Sequence, residues 1–289
     1  MAIELSYRRI VLASFVIIVL NWVSPQASAS AATDKMLDVG RARLHFRVSP
    51  GCGPTIVLES GGGLDASQWA KLQQSLSDAT GAAVVSYDRA GFGSSDLPKG
   101  AYSLEDQVAW LRGGLKKLPV PEEVVLVGHS YGAFPVQLYA KHYLKDTKAV
   151  VLIDPNTLAF IDSIGGPQNI PPVEIPPDMP KKIALANAMM RDTQFETVEA
   201  VRAAPYADSI PITVIASGKR WLPTDEWNDK FDAGRKSLVN GFPNRHLVVA
   251  EGSGHMITEE RPDLVLTTIE AAVNEARRAG RTACRPHSK

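Results

Sequence analysis

One short stretch of the sequence has the residue types and spacing of a nucleophilic site. It is the pentapeptide Gly128-His129-Ser130-Tyr131-Gly132, which follows an apolar run at 123–127 and opens a helical pattern at 131–143. A serine on such a sharp strand-to-helix turn is strained and accessible, and glycines two residues to either side leave room for the turn. The pattern predicts that Ser130 is a nucleophile.

A serine hydroxyl becomes a good nucleophile only when a neighbouring base takes its proton. His255 ends the segment Glu251-Gly-Ser-Gly-His255, which lies after the last apolar run and before the last helical pattern. The glycines allow this loop to approach the nucleophile closely, so we predict that His255 is the base. The remaining histidines are expected to be structural or to face solvent: His45, His129, His142, His246 and His287.

Acyl transfer also requires hydrogen-bond donors for the oxyanion that develops on the attacked carbonyl. Ser60-Gly61-Gly62-Gly63 follows the first apolar run, where one backbone N–H donor is expected, and Tyr131, directly after the nucleophile, is expected to supply the other. We predict Gly62 as the first donor, with Gly63 as the alternative. No Lys-Ser/Thr pair of a phosphate-binding loop follows these glycines, so nucleotide binding is not supported.

Six short apolar runs mark the strands that must position these residues. Their continuous apolar character is typical of parallel strands buried on both faces, and a loose alternation at 36–48, broken at Gly40, suits an N-terminal hairpin. Helical patterns between the runs predict an α/β fold with a doubly wound, mostly parallel sheet and helices on both faces. The six runs are 55–60, 82–87, 123–127, 148–153, 212–216 and 246–250.

The helical patterns carry recognisable boundary signals. Ser103 begins one of them, with Asp106 at a capping-box position. Others cover 131–143 and 224–238, and Pro262 sits near the start of a last helix that runs to about residue 278, where proline is tolerated.

One long segment, at about 156–209, separates two of the strands. It contains six prolines between 167 and 180, followed by two short helical patterns at about 181–190 and 195–203. A connection of roughly 50 residues is far longer than a usual link between a strand and the next element. Its apolar side chains favour a short helical lid over the site, and a flexible insertion is the alternative.

Five motifs in series resemble the α/β-hydrolase superfamily, in particular its bacterial single-domain esterase-like members. They are VLESGGG at 57–63, SYDRAGFGSS at 86–95, VGHSYG at 127–132, VLIDP at 151–155 and GSGH at 252–255. The resemblance covers about residues 36–279 and implies a sheet of the eight-stranded type and a serine-hydrolase site. It also implies a structural role for Asp88 in the loop after the second parallel strand.

The sequence departs from the commonest family pattern at the acid that supports the histidine. Many relatives carry an aspartate after the strand that follows the lid, but here that strand runs into Ala216-Ser-Gly-Lys-Arg-Trp221. Some relatives place the acid one strand earlier, and Asp154 stands at that position, so the resemblance implies Asp154. Asp225 is the alternative acid, although its place at a predicted helix start suits a capping role.

Residues 1–29 have the pattern of a secretory signal peptide. Arg8 and Arg9 precede a predominantly apolar run at 10–20, and Ala27-Ser28-Ala29 forms a small-x-small cleavage site. The run is shorter than the ~20 residues that span a bilayer. We predict cleavage before Ser30 and a secreted or periplasmic domain at 30–289 with no stable membrane association. An uncleaved N-terminal membrane anchor is the alternative.

Composition and cysteine content exclude some further classes of function. The chain has 31 Lys and Arg against 31 Asp and Glu, which gives no electrostatic reason to expect nucleic acid or an anionic membrane as partner. Cys52 and Cys284 could pair in an oxidising compartment or remain two thiols, and their spacing does not suit a metal site.

The expected reaction is two-step acyl transfer on a small-molecule ester, with no metal or organic cofactor. Carboxylesterase is the leading interpretation, and thioesterase, lactonase, acyltransferase or aminopeptidase activity could use the same residues. The resemblance argues against haloalkane dehalogenase and epoxide hydrolase activity, because those relatives carry aspartate where this chain has Ser130. The rival of another class is a ligand-binding protein that keeps the hydrolase shell but turns over slowly or not at all.

Overall fold

The structure is a computed structural model, and it describes residues 31–170 and 178–280. The predicted signal peptide and Cys284 lie outside the described residues. The strands within them are β1 (Thr33–Asp38), β2 (Arg43–Ser49), β3 (Cys52–Glu59), β4 (Ala82–Tyr87), β5 (Val124–His129), β6 (Thr147–Ile153), β7 (Ile212–Ser217) and β8 (Arg245–Ala250). The α-helices are α1 (Ala70–Thr80), α2 (Leu104–Leu115), α3 (Ala133–His142), α4 (Leu158–Ser163), α5 (Lys181–Asp192), α6 (Gln194–Arg202), α7 (Asp225–Ser237), α8 (Ile257–Glu260) and α9 (Pro262–Gly280).

The strands form one sheet in the order β1-β2-β4-β3-β5-β6-β7-β8. β1 pairs with β2, and β2 with β4, in antiparallel register, and every other neighbouring pair is parallel. Every residue of β4 and β5 is buried, which is why these strands are almost entirely apolar instead of alternating. The predicted fold class is confirmed, and the N-terminal hairpin is formed by β1 and β2.

Helices cover both faces of the sheet and enclose two large apolar clusters. One cluster lies between the sheet and α2, α3 and α6, and the other lies between the opposite face and α1 and α9. Because helices cover both faces, the sheet is accessible to a ligand at the edge formed by the carboxyl ends of its parallel strands. The loops after β3, β5, β6 and β8 meet at that edge.

The capping box predicted for α2 is confirmed. The Asp106 backbone N–H donates to Ser103 Oγ over 3.2 Å, and the Ser103 N–H donates to Asp106 Oδ2 over 2.9 Å. These reciprocal bonds satisfy N–H groups that the first helical turn leaves without partners.

Helix α1 was not expected from the sequence. Its apolar positions Leu72 and Leu76 are one turn apart and buried, but polar residues stand between them. Gln73 is itself buried, and its side chain donates to the Arg47 carbonyl over 2.9 Å and accepts from the Ser86 hydroxyl over 2.7 Å. A polar side chain that bonds to the sheet interrupted the apolar pattern on which the sequence analysis depended.

The segment between β6 and β7 carries α4, α5 and α6. The two helical patterns predicted there are confirmed as α5 and α6, while α4 was not predicted. Helix α6 joins the core through Val198 and Val201, whereas Leu185 of α5 and Phe195 of α6 are about half exposed. The described part of this segment thus consists of helices that pack on the domain and also present apolar side chains at its surface, and its role as a lid stays a prediction.

Across residues 31–170 and 178–280, no helix combines the length and the apolar character that a membrane crossing requires.

Candidate active site

Ser130 stands at a sharp turn between β5 and α3. It opens a short 3-10 helix, Ser130–Gly132, and its φ of 53° lies in the left-handed region, which is strained for a residue with a Cβ. A Cβ on Gly128 would lie 2.7 Å from the Gly132 carbonyl oxygen, and one on Gly132 would lie 2.8 Å from the Glu59 and Ser60 carbonyl oxygens. The flanking glycines are therefore required by close backbone contacts on both sides of the serine.

The structure brings Ser130, His255 and Asp154 together in one chain of hydrogen bonds. His255 Nε2 lies 3.0 Å from Ser130 Oγ, and His255 Nδ1 lies 2.7 Å from Asp154 Oδ2. Because an ionised carboxylate only accepts hydrogen bonds, Nδ1 carries the proton and Nε2 is free to take one from the serine. This is the geometry of a nucleophile, its base and the acid that orients the base.

Asp154 is fully buried and directly follows β6, with a φ of 43°. Its Oδ1 accepts from the Ser217 backbone N–H over 2.9 Å and from the Arg235 guanidinium, and its Oδ2 accepts from the Trp221 indole N–H over 3.0 Å. Burial opposes ionisation, but the hydrogen bond with His255 and the charge of Arg235 outweigh it, so the pKa of Asp154 lies below its usual value.

The alternative acid, Asp225, is separate from this cluster. Its side chain is 89% exposed and forms an ion pair with Arg220 Nε at 2.9 Å. It is the first residue of α7, whose N-cap is Thr224, with the Thr224 Oγ1 accepting from the Trp227 N–H over 3.2 Å.

Gly62 and Tyr131 line the same cavity as Ser130 and His255. A Cβ built on Gly62 would lie 3.3 Å from the Tyr131 Cβ, so the two predicted oxyanion donors are neighbours. The Gly61 N–H donates to Gln68 Oε1 over 3.0 Å and is thereby occupied. Gly63, the alternative donor, has a φ of 76° and faces Asn187 of α5.

Trp221 and Arg235 are site residues that the sequence analysis did not identify. The Trp221 ring stacks on His255 with 4.1 Å between the ring centroids and 28° between the planes. Arg235, on α7, donates to Asp154 and also to Ser217 Oγ over 2.8 Å. No local pattern signals either residue, since one lies in a loop and the other on a helix that the sequence shows only as amphipathic.

His129, beside the nucleophile, supports the loop that carries the base. Its side chain is buried, and its Nε2 lies 3.0 Å from the His255 carbonyl oxygen, to which it must donate. Burial, followed by the proximity of His255, lowers the pKa of His129 from 6.5 to about 4. His129 is therefore neutral near pH 7 and holds the His255 backbone.

Asp88 lies in the loop after β4 and contacts backbone and side-chain donors. It accepts from the Ala66 and Ser94 N–H groups, each over 2.8 Å, and its Oδ2 lies 2.9 Å from His45 Nδ1. These contacts organise the loop, as the resemblance implied.

A cavity of about 640 Å³ opens beside Ser130 and His255. Most of its lining residues are aromatic or aliphatic, and the helices that contribute to the wall are α3, α4, α5, α6 and α7. Among its described lining residues, Arg191 is the only Arg, Lys, Asp or Glu. Arg202 of α6 is not among them and pairs with Asp162 of α4 at 2.7 Å. Apolar members of the wall include Phe134, Phe160, Ile161, Val198, Trp227 and Phe231.

The described residues contain no cluster of three or more His, Cys, Asp or Glu side chains that could hold a metal ion.

A mostly parallel eight-stranded sheet, with a serine at a strand-to-helix turn and its histidine after the last strand, defines a protein of the α/β-hydrolase type. The chain belongs to the alpha/beta hydrolase family, whose sequence profile matches residues 56–268. Membership of this family supports a hydrolase activity.

Similar proteins agree with this assignment. The protein YqjL of Bacillus subtilis (strain 168) is 26% identical over 244 residues, which are 82% of this chain and 90% of that protein. A thermophilic esterase from Thermogutta terrifontis is 20% identical with a TM-score of 0.57, over 86% of this chain and 99% of that one. An enol-lactonase from Burkholderia xenovorans is also 20% identical, with a TM-score of 0.55 over 83% and 100% of the two chains. These solved structures share the fold.

Proposed function

We propose that this protein is a serine hydrolase that cleaves carboxylic esters through an acyl-enzyme intermediate. The observation that carries the proposal is the continuous hydrogen-bond chain from Ser130 through His255 to the buried carboxylate of Asp154. Such a chain activates a hydroxyl for attack on an acyl carbon. Because residues 1–29 are predicted to be a signal peptide, we also propose that the enzyme acts after export.

In the first step, His255 Nε2 takes the Ser130 hydroxyl proton while Ser130 Oγ attacks the ester carbonyl carbon. The carbonyl oxygen becomes an oxyanion, which accepts hydrogen bonds from the Gly62 and Tyr131 backbone N–H groups. Asp154 stabilises the imidazolium that forms. The tetrahedral intermediate then collapses, the bond to the alcohol oxygen breaks, and the alcohol leaves with the proton from His255.

In the second step, His255 removes a proton from water, and the resulting hydroxide attacks the acyl carbon of the Ser130 ester. The same two N–H groups bind the second oxyanion. Collapse of this intermediate breaks the bond to Ser130 Oγ, which recovers its proton from His255. The products are a carboxylic acid and the free enzyme, so the reaction consumes one water and needs no other reactant.

The cavity wall supports an ester with an apolar acyl or alcohol group of moderate size. A pocket of about 640 Å³ is within the usual range for small-molecule sites. Aromatic side chains from α4 and α7 line it, including Phe160, Trp227 and Phe231. Burial of apolar substrate surface there stabilises the complex by roughly 25 cal/mol per Å² before the costs of binding.

Steady-state hydrolysis of p-nitrophenyl esters with acyl chains of two to twelve carbons tests the proposal. We expect kcat/KM to rise with chain length until the cavity is filled and to fall beyond it. Ser130→Ala should lose on the order of 10⁶ in turnover, while Ser67→Ala, at an exposed serine, should leave turnover unchanged.

A second measurement separates an esterase from a slow ligand-binding protein. A fluorophosphonate probe should label the wild-type serine within minutes and leave Ser130→Ala unlabelled. A folded protein that neither reacts with the probe nor hydrolyses any ester, thioester or lactone would contradict the proposed function.

A further inference from the structure

A buried ion pair that the proposed mechanism does not use lies behind the glycine loop of the site. Glu59 is the last residue of β3, and Arg89 follows β4. Their side chains are each 2% exposed, and Arg89 Nη1 lies 2.5 Å from Glu59 Oε1. The Tyr87 hydroxyl donates a hydrogen bond to the other carboxylate oxygen of Glu59. Burying two charges is costly, so an ion pair in this place calls for an explanation beyond packing.

The same guanidinium binds the backbone of the loop that carries Gly62. Arg89 Nη1 donates to the Ser60 carbonyl over 2.6 Å, and Arg89 Nη2 donates to the Gly61 carbonyl over 2.5 Å. Nη2 also lies 3.3 Å from the Leu64 carbonyl oxygen. One side chain therefore holds carbonyl groups on both sides of Gly62.

The bond to the Gly61 carbonyl has a direct consequence for the Gly62 donor. The Gly61 C=O and the Gly62 N–H belong to one peptide group, which is planar and, like nearly all peptide groups, trans, so the two bonds point in opposite directions. A guanidinium that fixes the carbonyl on the buried side thus turns the N–H toward the cavity beside Ser130. The positive charge also polarises the peptide group, which strengthens its N–H as a donor.

Arg89 also contacts Tyr131, the residue that supplies the second donor. Its guanidinium carbon lies 5.4 Å from the centroid of the Tyr131 ring, within the range of a cation–π contact. A Cβ on Gly132, the next residue, would already approach the Glu59 and Ser60 carbonyl oxygens. The glycine loop and the nucleophile turn are therefore packed together around the Glu59–Arg89 pair.

We propose that Arg89 is a positioning residue for the oxyanion hole, because it fixes the peptide group that presents the Gly62 N–H and packs on the residue that presents the other. This inference rests on the proposed acyl-transfer function. Glu59 neutralises and orients the guanidinium, and Tyr87 orients Glu59. The network acts on the transition state through the loop and makes no contact with the ester itself.

The experiment compares wild type with Arg89→Lys and with the charge-neutral double variant Glu59→Gln/Arg89→Gln. Lysine keeps the charge, but its donors all lie on one nitrogen, so it lacks the planar fork with which the two terminal nitrogens of arginine bond separate carbonyl groups. The double variant avoids an unpaired buried carboxylate, so it remains informative if a single variant fails to fold. Arg43→Lys, at an exposed ion pair with Asp96, is the control.

Three quantities are measured on each folded variant: kcat, KM for the best p-nitrophenyl ester, and the affinity of an alkyl boronic acid. The boronic acid forms a tetrahedral adduct with the serine and places an oxygen in the oxyanion hole. We expect kcat and boronic acid affinity to fall together by about 10- to 100-fold. This decrease does not exceed the one that removal of a whole oxyanion-hole donor causes. KM should change by less than about twofold, since the ester ground state uses these donors weakly, and the control should match wild type.

Folded variants that keep wild-type kcat and boronic acid affinity would overturn the inference, and so would a change confined to KM. Failure of the proposed function looks different, because wild type itself would then neither hydrolyse esters nor bind the boronic acid.

Discussion

The carboxylate of Asp154 accepts more hydrogen bonds than are needed to orient one histidine. His255, the Ser217 N–H, the Trp221 indole and the Arg235 guanidinium all bond to it. These donors keep a fully buried carboxylate ionised, because each one favours the charged form over the neutral acid. They also hold the carboxylate in one orientation, which sets the direction of the His255 ring.

We predict that Asp154→Asn lowers turnover by about three to four powers of ten, because the asparagine amide cannot favour the required histidine tautomer or stabilise its cation. Asp225→Asn should lower turnover by tenfold or less, since that side chain is exposed and paired with Arg220. Steady-state kinetics on folded proteins check both. An Asp225→Asn loss as large as that of Asp154→Asn would refute the assignment of the acid.

His129 gives a prediction about the pH dependence of stability. In the unfolded chain its pKa is near 6.5, whereas burial lowers it to about 4 in the folded protein. Between these values the unfolded state binds the additional proton, so the free energy of unfolding decreases as the pH falls. We expect His129 to account for a loss of about 2 kcal/mol between pH 7 and pH 5.

Urea unfolding of wild type and His129→Gln at the two pH values measures this contribution. The variant should lose about 2 kcal/mol less than wild type over the same interval, whatever its absolute stability. His142→Gln, at an exposed histidine paired with Glu105, is the control. Equal pH dependence in wild type and His129→Gln would show that His129 is not buried in its neutral form.

Helix α2 shows how one helix packs closely against the sheet. Gly113 and Gly114 are adjacent in its last turn, yet only Gly114 faces the core. A Cβ on Gly114 would lie 2.1 Å from Phe46 of β2, and one on Gly113 would have no atom within 4 Å. The close approach of helix and strand therefore depends on a single missing methyl group.

We predict opposite effects for two otherwise identical substitutions. Gly114→Ala should destabilise the protein by about 1–3 kcal/mol, because the buried Phe46 ring must move within a packed core. Gly113→Ala should stabilise it by up to about 1 kcal/mol, because alanine favours the helix and meets no atom. Chemical denaturation of the two variants provides the measurement. A stabilising Gly114→Ala would mean that α2 lies further from β2 than described.

The length and the prolines of the segment between β6 and β7 predicted an insertion with short helices. The residues of α5 and α6 were identified by their helical patterns, and the short α4 was not. A six-residue helix holds too few turns to show a period in sequence, and α4 is stabilised instead by packing. Its Phe160 forms an edge contact with Phe231 of α7, with 5.0 Å between the ring centroids.

We predict that the whole chain is exported and processed. Cleavage after Ala29 should give a mature protein that begins at Ser30, since Ala27 and Ala29 occupy the two small positions of the site. Ala29→Gln should block processing, whereas Ser28→Gln, at the unconstrained middle position, should permit it.

Sequencing of the N-terminus of the protein from periplasmic and culture fractions checks the export prediction. Full-length chain that begins with Met1 in those fractions would contradict cleavage. Full-length chain found only in the membrane fraction would instead favour the N-terminal anchor.

The sequence alone identified the residues whose local surroundings announce their chemistry. Ser130 has its turn glycines two residues away on either side, and Gly62 and His255 lie in the glycine-containing loops that follow the apolar runs of β3 and β8. Asp154 was reached through a family resemblance, because nothing in its neighbours distinguishes it from any aspartate after a strand. The alternation of strands and helices was also readable, since burial on both faces leaves an unbroken apolar run.

The distant groups that contact those residues became known from the three-dimensional structure. Trp221, Arg235 and Arg89 contact groups far along the chain, whereas Trp110 and Arg112, which are of the same residue types, make their contacts away from the site. Their positions follow from the sheet order, which places the segments after β4 and β7 at the same edge as the loops after β3, β5, β6 and β8. Hydrogen bonds of about 3 Å depend on three-dimensional proximity, and sequence spacing carries no record of that distance.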